Sequence, residues 1–137
     1  MTDQMHASDS NSPESVVMTF IQCFNDNRID DALSMLAEDV FYHNIPLPPM
    51  EGREATAGFF SQFDLGGAMT TQWIVHAIAS KDDVVLTERT DKFFSATGKE
   101  VAIPIMGSFK VRDGLIAEWR DYFDLGDFEK QIAGLIA

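Results

Sequence analysis

The sequence predicts an α+β domain. Helices come first, and a long, strongly curved, mixed but mainly antiparallel sheet wraps around them to enclose one deep pocket. Three observations predict it. Apolar residues recur at helical spacing through the first part of the chain. Four runs of alternating residues follow Gly66-Gly67. Short turns separate those runs, and strands joined by short turns pair antiparallel. The 137 residues suffice for one domain with a real core and not for two. At 45% hydrophobic content, with 11 Phe and 2 Trp, the chain is that of a globular protein.

Residues 1–11 read as a disordered polar tail, and residues 12–137 as the single domain. Ser12-Pro13-Glu14 opens the first helix, with Ser at the N-cap, Pro at the first helical position and an acid in the first turn. Val16, Phe20 and Phe24 recur every four residues, with Val17 and Ile21 beside them, which gives one apolar stripe. Asn25-Asp26-Asn27 ends that helix. A second, short helix is expected over residues 30–36, presenting Leu33 and Leu36. A short strand is expected over residues 40–44. Pro46-Leu47-Pro48-Pro49 then forces a rigid extended loop. A third helix, residues 52–63, carries Phe59, Phe60 and Phe63. Four strands follow, at residues 70–80, 84–95, 100–112 and 115–124. Asp113-Gly114 between two alternating runs is a strong hairpin signal. A last helix, residues 126–135, closes the chain.

The net charge of −12 argues against nucleic acid, whose phosphates would repel this surface, and equally against an anionic membrane. The single cysteine, Cys23, excludes an intrachain disulfide and fits a reducing compartment. The polar N-terminus does not read as a secretory signal, no run approaches the length of a spanning helix, and the cytoplasm is the expected location. His6, His43 and His76 have no metal-ligand spacing, so no metal site is expected. No G-x-S-x-G elbow, phosphate loop or Rossmann pattern is present.

Three charged residues sit where packing asks for apolar ones. Successive side chains of a strand alternate between its faces. Val85, Thr87, Arg89, Asp91 and Phe93 therefore share one face of the second long strand. Leu115, Ala117, Trp119, Asp121 and Phe123 share one face of the fourth. Arg89, Asp91 and Asp121 thus lie among residues that want burial, and with Trp119 and Phe123 they are expected to line the pocket. An unpaired buried charge costs several kcal/mol. A guanidinium between two carboxylates solves this, because its planar fork bonds both. The trio keeps one excess negative charge if both acids ionise, so one carboxyl is expected to hold a proton near neutral pH. A protonated acid and a charged one in an apolar pocket are the parts for general acid and general base chemistry. The plain alternative is an ion pair kept only for structure.

Tyr42 and Asn44 share a face of the short strand. A phenol and an amide ahead of a rigid loop could hold a water molecule. They could equally be a packed tyrosine and a turn-forming asparagine.

The stretches Phe41-Tyr42-His43-Asn44-Ile45-Pro46-Leu47-Pro48-Pro49, Thr87-Glu88-Arg89-Thr90-Asp91 and Trp119-Arg120-Asp121-Tyr122-Phe123-Asp124 resemble the limonene-1,2-epoxide hydrolase family. That family lies within the SnoaL/NTF2-like, ketosteroid-isomerase-type cone fold. The resemblance runs from about Ser12 to the last helix. It implies that Asp121 is the base activating water, Tyr42 and Asn44 hold that water, Asp91 is the acid, and Arg89 bridges the carboxylates. It implies one-step hydrolysis of a small apolar epoxide to a vicinal diol, an ether hydrolase activity without cofactor, in a homodimer. Met35, Leu36, Ile103, Ile105 and Phe123 are expected as pocket walls by face and position.

Two other readings stay open. One is an isomerase on the same cone, moving a proton beside a ketone with a carboxylate base and an oxyanion donor. Arg89 between the acids would hinder it. The other is a non-catalytic module that binds an apolar ligand.

Overall fold

The computed structural model describes residues 12–136, so the expected tail over residues 1–11 lies outside the described residues. Helix α1 spans Pro13–Asn25. Ser12 caps it, its side-chain oxygen accepting from the Ser15 backbone N–H at 3.2 Å. Its buried face is Val16, Val17, Phe20, Ile21, Cys23 and Phe24. Helix α2, Ile29–Ser34, is shorter than expected.

Leu36 is not helical. It opens strand β1, Leu36–Asn44, which is longer than the expected strand at residues 40–44. Pairing with another strand decides this. Leu36 lies opposite Ile116, and the Ile116 N–H donates to the Met35 carbonyl at 2.9 Å. A two-residue strand, β2, Met50–Glu51, was not expected. It pairs antiparallel with β1 directly after the proline loop. Helix α3 then spans Arg53–Gln62.

The four long strands are β3 (Thr70–Lys81), β4 (Val84–Phe94), β5 (Glu100–Arg112) and β6 (Leu115–Tyr122). The sheet order is β2-β1-β6-β5-β4-β3. Consecutive long strands form antiparallel hairpins, whereas β1 and β6 run parallel. The β5–β6 turn has Asp113 at φ 54° and Gly114 at φ 76°, the two left-handed residues that a tight hairpin needs. Strand β6 carries a bulge, because Lys110 pairs with Glu118 while Val111 pairs with Ile116. Ala117 is the extra residue. The bulge corrects one expected face: Ile116 is fully buried, and Leu115 is only half-buried.

Helix α1 packs on the concave side of the sheet. Phe20 meets Trp119 edge-on at 5.0 Å, and Phe24 stacks on Trp73 at 4.3 Å. Tyr42 stacks on Trp119 at 4.2 Å. This ring cluster is the main core. A second apolar cluster, Val101, Ile103, Ile105 and Leu135, gathers under helix α4, Leu125–Ile136. Strand β5 continues past the end of β6 here, so its edge has no strand partner from β6. The Gln131 amide covers part of that edge. Its Oε1 accepts from the Ala102 N–H, and its Nε2 donates to the Ala102 carbonyl, both at 2.9 Å. The two clusters flank the concave face and leave a cavity between them.

Candidate active site

Arg89, Asp91 and Asp121 are 1%, 2% and 3% exposed, so their charges must be compensated by protein. Arg89 Nε and Nη2 donate to Asp91 Oδ1 and Oδ2, each at 2.9 Å. Nη2 also donates to Asp121 Oδ2 at 3.0 Å, and Nη1 donates to Thr87 Oγ at 3.0 Å. Trp73 and Phe109 flank the guanidinium, with ring centroids 5.6 Å and 5.8 Å from its carbon.

The register explains the assembly. Asp91 is two residues along β4 from Arg89 and shares its face. Asp121 is two strands away, roughly 10 Å at the usual strand spacing. The guanidinium must therefore cross β5. It crosses at Gly107, which pairs with Thr87 on one side and Asp121 on the other. A Cβ on residue 107 would collide with Arg89 Nη1 and stand 2.7 Å from Asp121 Oδ1 and 3.0 Å from Thr87 Oγ. Only glycine leaves this passage open.

The same cross-strand line continues into β1, where Asn44 lies opposite Asp121 and Tyr42 opposite Trp119. The Tyr42 hydroxyl donates to Asn44 Oδ1 at 3.3 Å. The Trp119 indole N–H donates to Asp121 Oδ1 at 3.0 Å. Asp121 thus receives a donor on each oxygen and keeps a further lone pair on each.

Burial pushes the Asp91 carboxyl up to about 6; Arg89 pulls it down and Asp121 pushes it up further. Burial alone would lower the Arg89 guanidinium, but Asp121 and Asp91 outweigh that and keep it charged. Burial, and then the negative charge of Asp121, push the Tyr42 phenol well above its ordinary range, so it stays a donor.

A cavity of about 110 Å³ opens over this group. That is far more than the roughly 10–15 Å³ one water needs on this measure. Tyr42, Asn44, Asp91 and Asp121 form its polar end. Ile103, Ile105 and Phe123, three of the expected walls, are among the residues lining it. Arg89 lies behind the two carboxylates. Trp119 is a fully buried core residue that supports Asp121 from beneath and does not line the cavity. Met35 and Leu36 do not line it either. Leu36 is buried in the main core and Met35 packs against it, at the opposite end of β1 from Tyr42 and Asn44. The sequence reading missed walls from the proline loop (Leu47), β3 (Trp73) and α4 (Phe128, Ile132). It also missed Gly107, although a lone glycine between Met106 and Ser108 inside a strand signals close approach of another group.

The chain matches the limonene-1,2-epoxide hydrolase catalytic domain over residues 11–134. It belongs to the limonene-1,2-epoxide hydrolase family. The epoxide hydrolase EphG of Mycobacterium tuberculosis is 31% identical over 122 residues, covering 88% of this chain and 80% of that protein. The solved structure of an M. tuberculosis LEH-like epoxide hydrolase superposes with a TM-score of 0.75 at 29% identity, over 88% of this chain and 89% of the other. A proposed polyketide cyclase from Xanthomonas campestris superposes with a TM-score of 0.72 at 25% identity, over 88% and 96% of the two chains. Membership supports epoxide hydrolysis as the activity of this family member.

Two predictions follow from the geometry of the charged group. Gly107→Ala forces Arg89, Asp121 and Thr87 apart and lowers the unfolding free energy by about 1–3 kcal/mol, read by urea denaturation. An unchanged midpoint would mean that the guanidinium does not need this passage. The second concerns Asp91. Between about pH 4 and pH 6 the folded carboxyl holds a proton that the unfolded chain has released. Ionising it therefore costs stability as pH rises through that window. The unfolding free energy of wild type minus that of Asp91→Asn should fall from pH 4 to pH 6. A flat difference would show that Asp91 is not held protonated.

Proposed function

We propose that this protein hydrolyses a small apolar epoxide, cyclic or linear, to its vicinal diol in one step. The supporting observation is a pair of buried carboxylates bridged by one guanidinium, at the polar end of an otherwise apolar cavity, with Asp91 inclined to hold a proton.

Asp121 is the base. Arg89 and Trp119 hold its carboxylate in place, and Asn44 and Tyr42 stand beside it to hold the attacking water. The water gives a proton to Asp121 as its oxygen attacks an oxirane carbon. The carbon–oxygen bond of the ring breaks as Asp91 passes its proton to the departing oxygen. One proton then returns from Asp121 to Asp91, and the site is reset. Both oxygens of Asp91 are tied to Arg89, which fixes the direction in which the acid donates. No covalent intermediate and no cofactor enter this scheme. The apolar walls keep other water from the site.

Arg89 also weighs against the isomerase reading. It lies between the two acids, where it would hinder that chemistry. We further propose a cytoplasmic homodimer. A single free cysteine suits a reducing compartment. Leu86, Met106 and Tyr122, all about half exposed, lie close together on the outer face of the sheet.

Asp121→Asn keeps the shape and the Arg89 bond but removes the proton acceptor. Diol formation should fall by at least ~10²-fold, and near-normal turnover would remove Asp121 as the base. Direct attack is checked by one turnover in heavy-oxygen water with enzyme in excess. The diol should carry one heavy oxygen. Unlabelled diol, with the label in an aspartate side chain, would mean that a carboxylate attacks the ring itself.

A further inference from the structure

We propose that the substrate presents an aromatic ring to this cavity, so that the protein selects aryl-bearing epoxides over aliphatic ones of the same size. The inference rests on the epoxide-hydrolase reading and specifies its substrate.

Three pairs of rings line the cavity, each from a different part of the fold. Phe59 and Phe63 stand one turn apart, at the end of α3 and just beyond it, with centroids 5.2 Å apart and planes at 72°. Trp73 of β3 and Phe93 of β4 meet at 6.3 Å and 70°. Phe123 and Phe128, before and within α4, meet at 5.5 Å and 57°. Trp73 belongs to the main core and Phe59 and Phe93 pack against it, whereas Phe63, Phe123 and Phe128 stand outside it and line the cavity.

An aromatic ring has a negative face and a positive edge, and ring pairs prefer perpendicular or offset contact. The two nearly perpendicular pairs present both faces and edges around one void. A guest ring can therefore find complementary contacts on more than one wall. A saturated ring has no such quadrupole and gains only from burial. It also carries at least as much apolar surface as its aromatic counterpart. A merely greasy cavity would thus favour the saturated guest or not discriminate.

The test compares benzyloxirane with cyclohexylmethyloxirane. The carbon skeletons match, and a methylene insulates the oxirane from the ring in both. The expected result is a kcat/KM about 3- to 10-fold higher for benzyloxirane. Phe63→Leu and Phe128→Leu, which replace a ring by an aliphatic group, should bring that ratio towards one. Calorimetric binding of the two corresponding diols is measured in parallel and should show the same order. Equal or reversed order in both measurements overturns the proposal. A ratio that stays high in both leucine variants overturns the role of the walls. No turnover of either epoxide, with the phenyl diol still bound more tightly, overturns the hydrolase reading and upholds the aromatic selectivity.

Discussion

A guanidinium taken out of water needs acceptors on every side, and much of the concave face is organised to supply them to Arg89. Asp91 takes two of its N–H groups, Asp121 shares one of these, and Thr87 takes another. The same bonds set the charge of the group. They join two carboxylates through one cation, and they leave the group one negative charge too many if both acids ionise. Burial pushes the Asp91 carboxyl up to about 6.

The sheet provides the line along which that cluster forms. Gly107, Asp121 and Asn44 are neighbours across β5, β6 and β1, and the parallel pairing of β1 with β6 sets Asn44 beside Asp121. One row deeper, Tyr42, Trp119 and Phe109 follow the same register. Their stacked rings support the polar row from beneath. Trp119 joins the two rows, since its ring belongs to the core and its N–H reaches Asp121. A slip of β1 by one residue would turn Tyr42 and Asn44 to the other side of the sheet.

The apolar end of the cavity is built by different means. Helix α4 is tied to β5 by Gln131 and by a cluster of its own, and it brings Phe128 and Ile132 to the cavity wall. Helix α3 and the proline loop close other sides. The polar end lies on paired strands, whereas much of the apolar wall comes from elements packed against them. A polar end on paired strands and a separately built wall allow the shape of the cavity to vary without disturbing the charged group.

The chain's own alternation was enough to place Arg89, Asp91 and Asp121 on buried faces and Tyr42 with Asn44 on another, because side-chain direction in a strand is a local property with period two. The same logic located the hairpins and the helical stripe of Phe20 and Phe24. It failed where direction depends on a distant partner. Leu36 reads as the last turn of a helix until Ile116 pairs with it, and Leu115 reads as buried until the bulge at Ala117 reverses the phase. Met35 and Leu36 look like walls by face and position, yet the length of β1 carries them away from the site. Only the assembled sheet brings Gly107 between Thr87 and Asp121, and only helix packing brings Phe128 to the same void as Trp73. Local periodicity tells a residue which way to face. What it faces is decided by contacts between segments far apart in the chain.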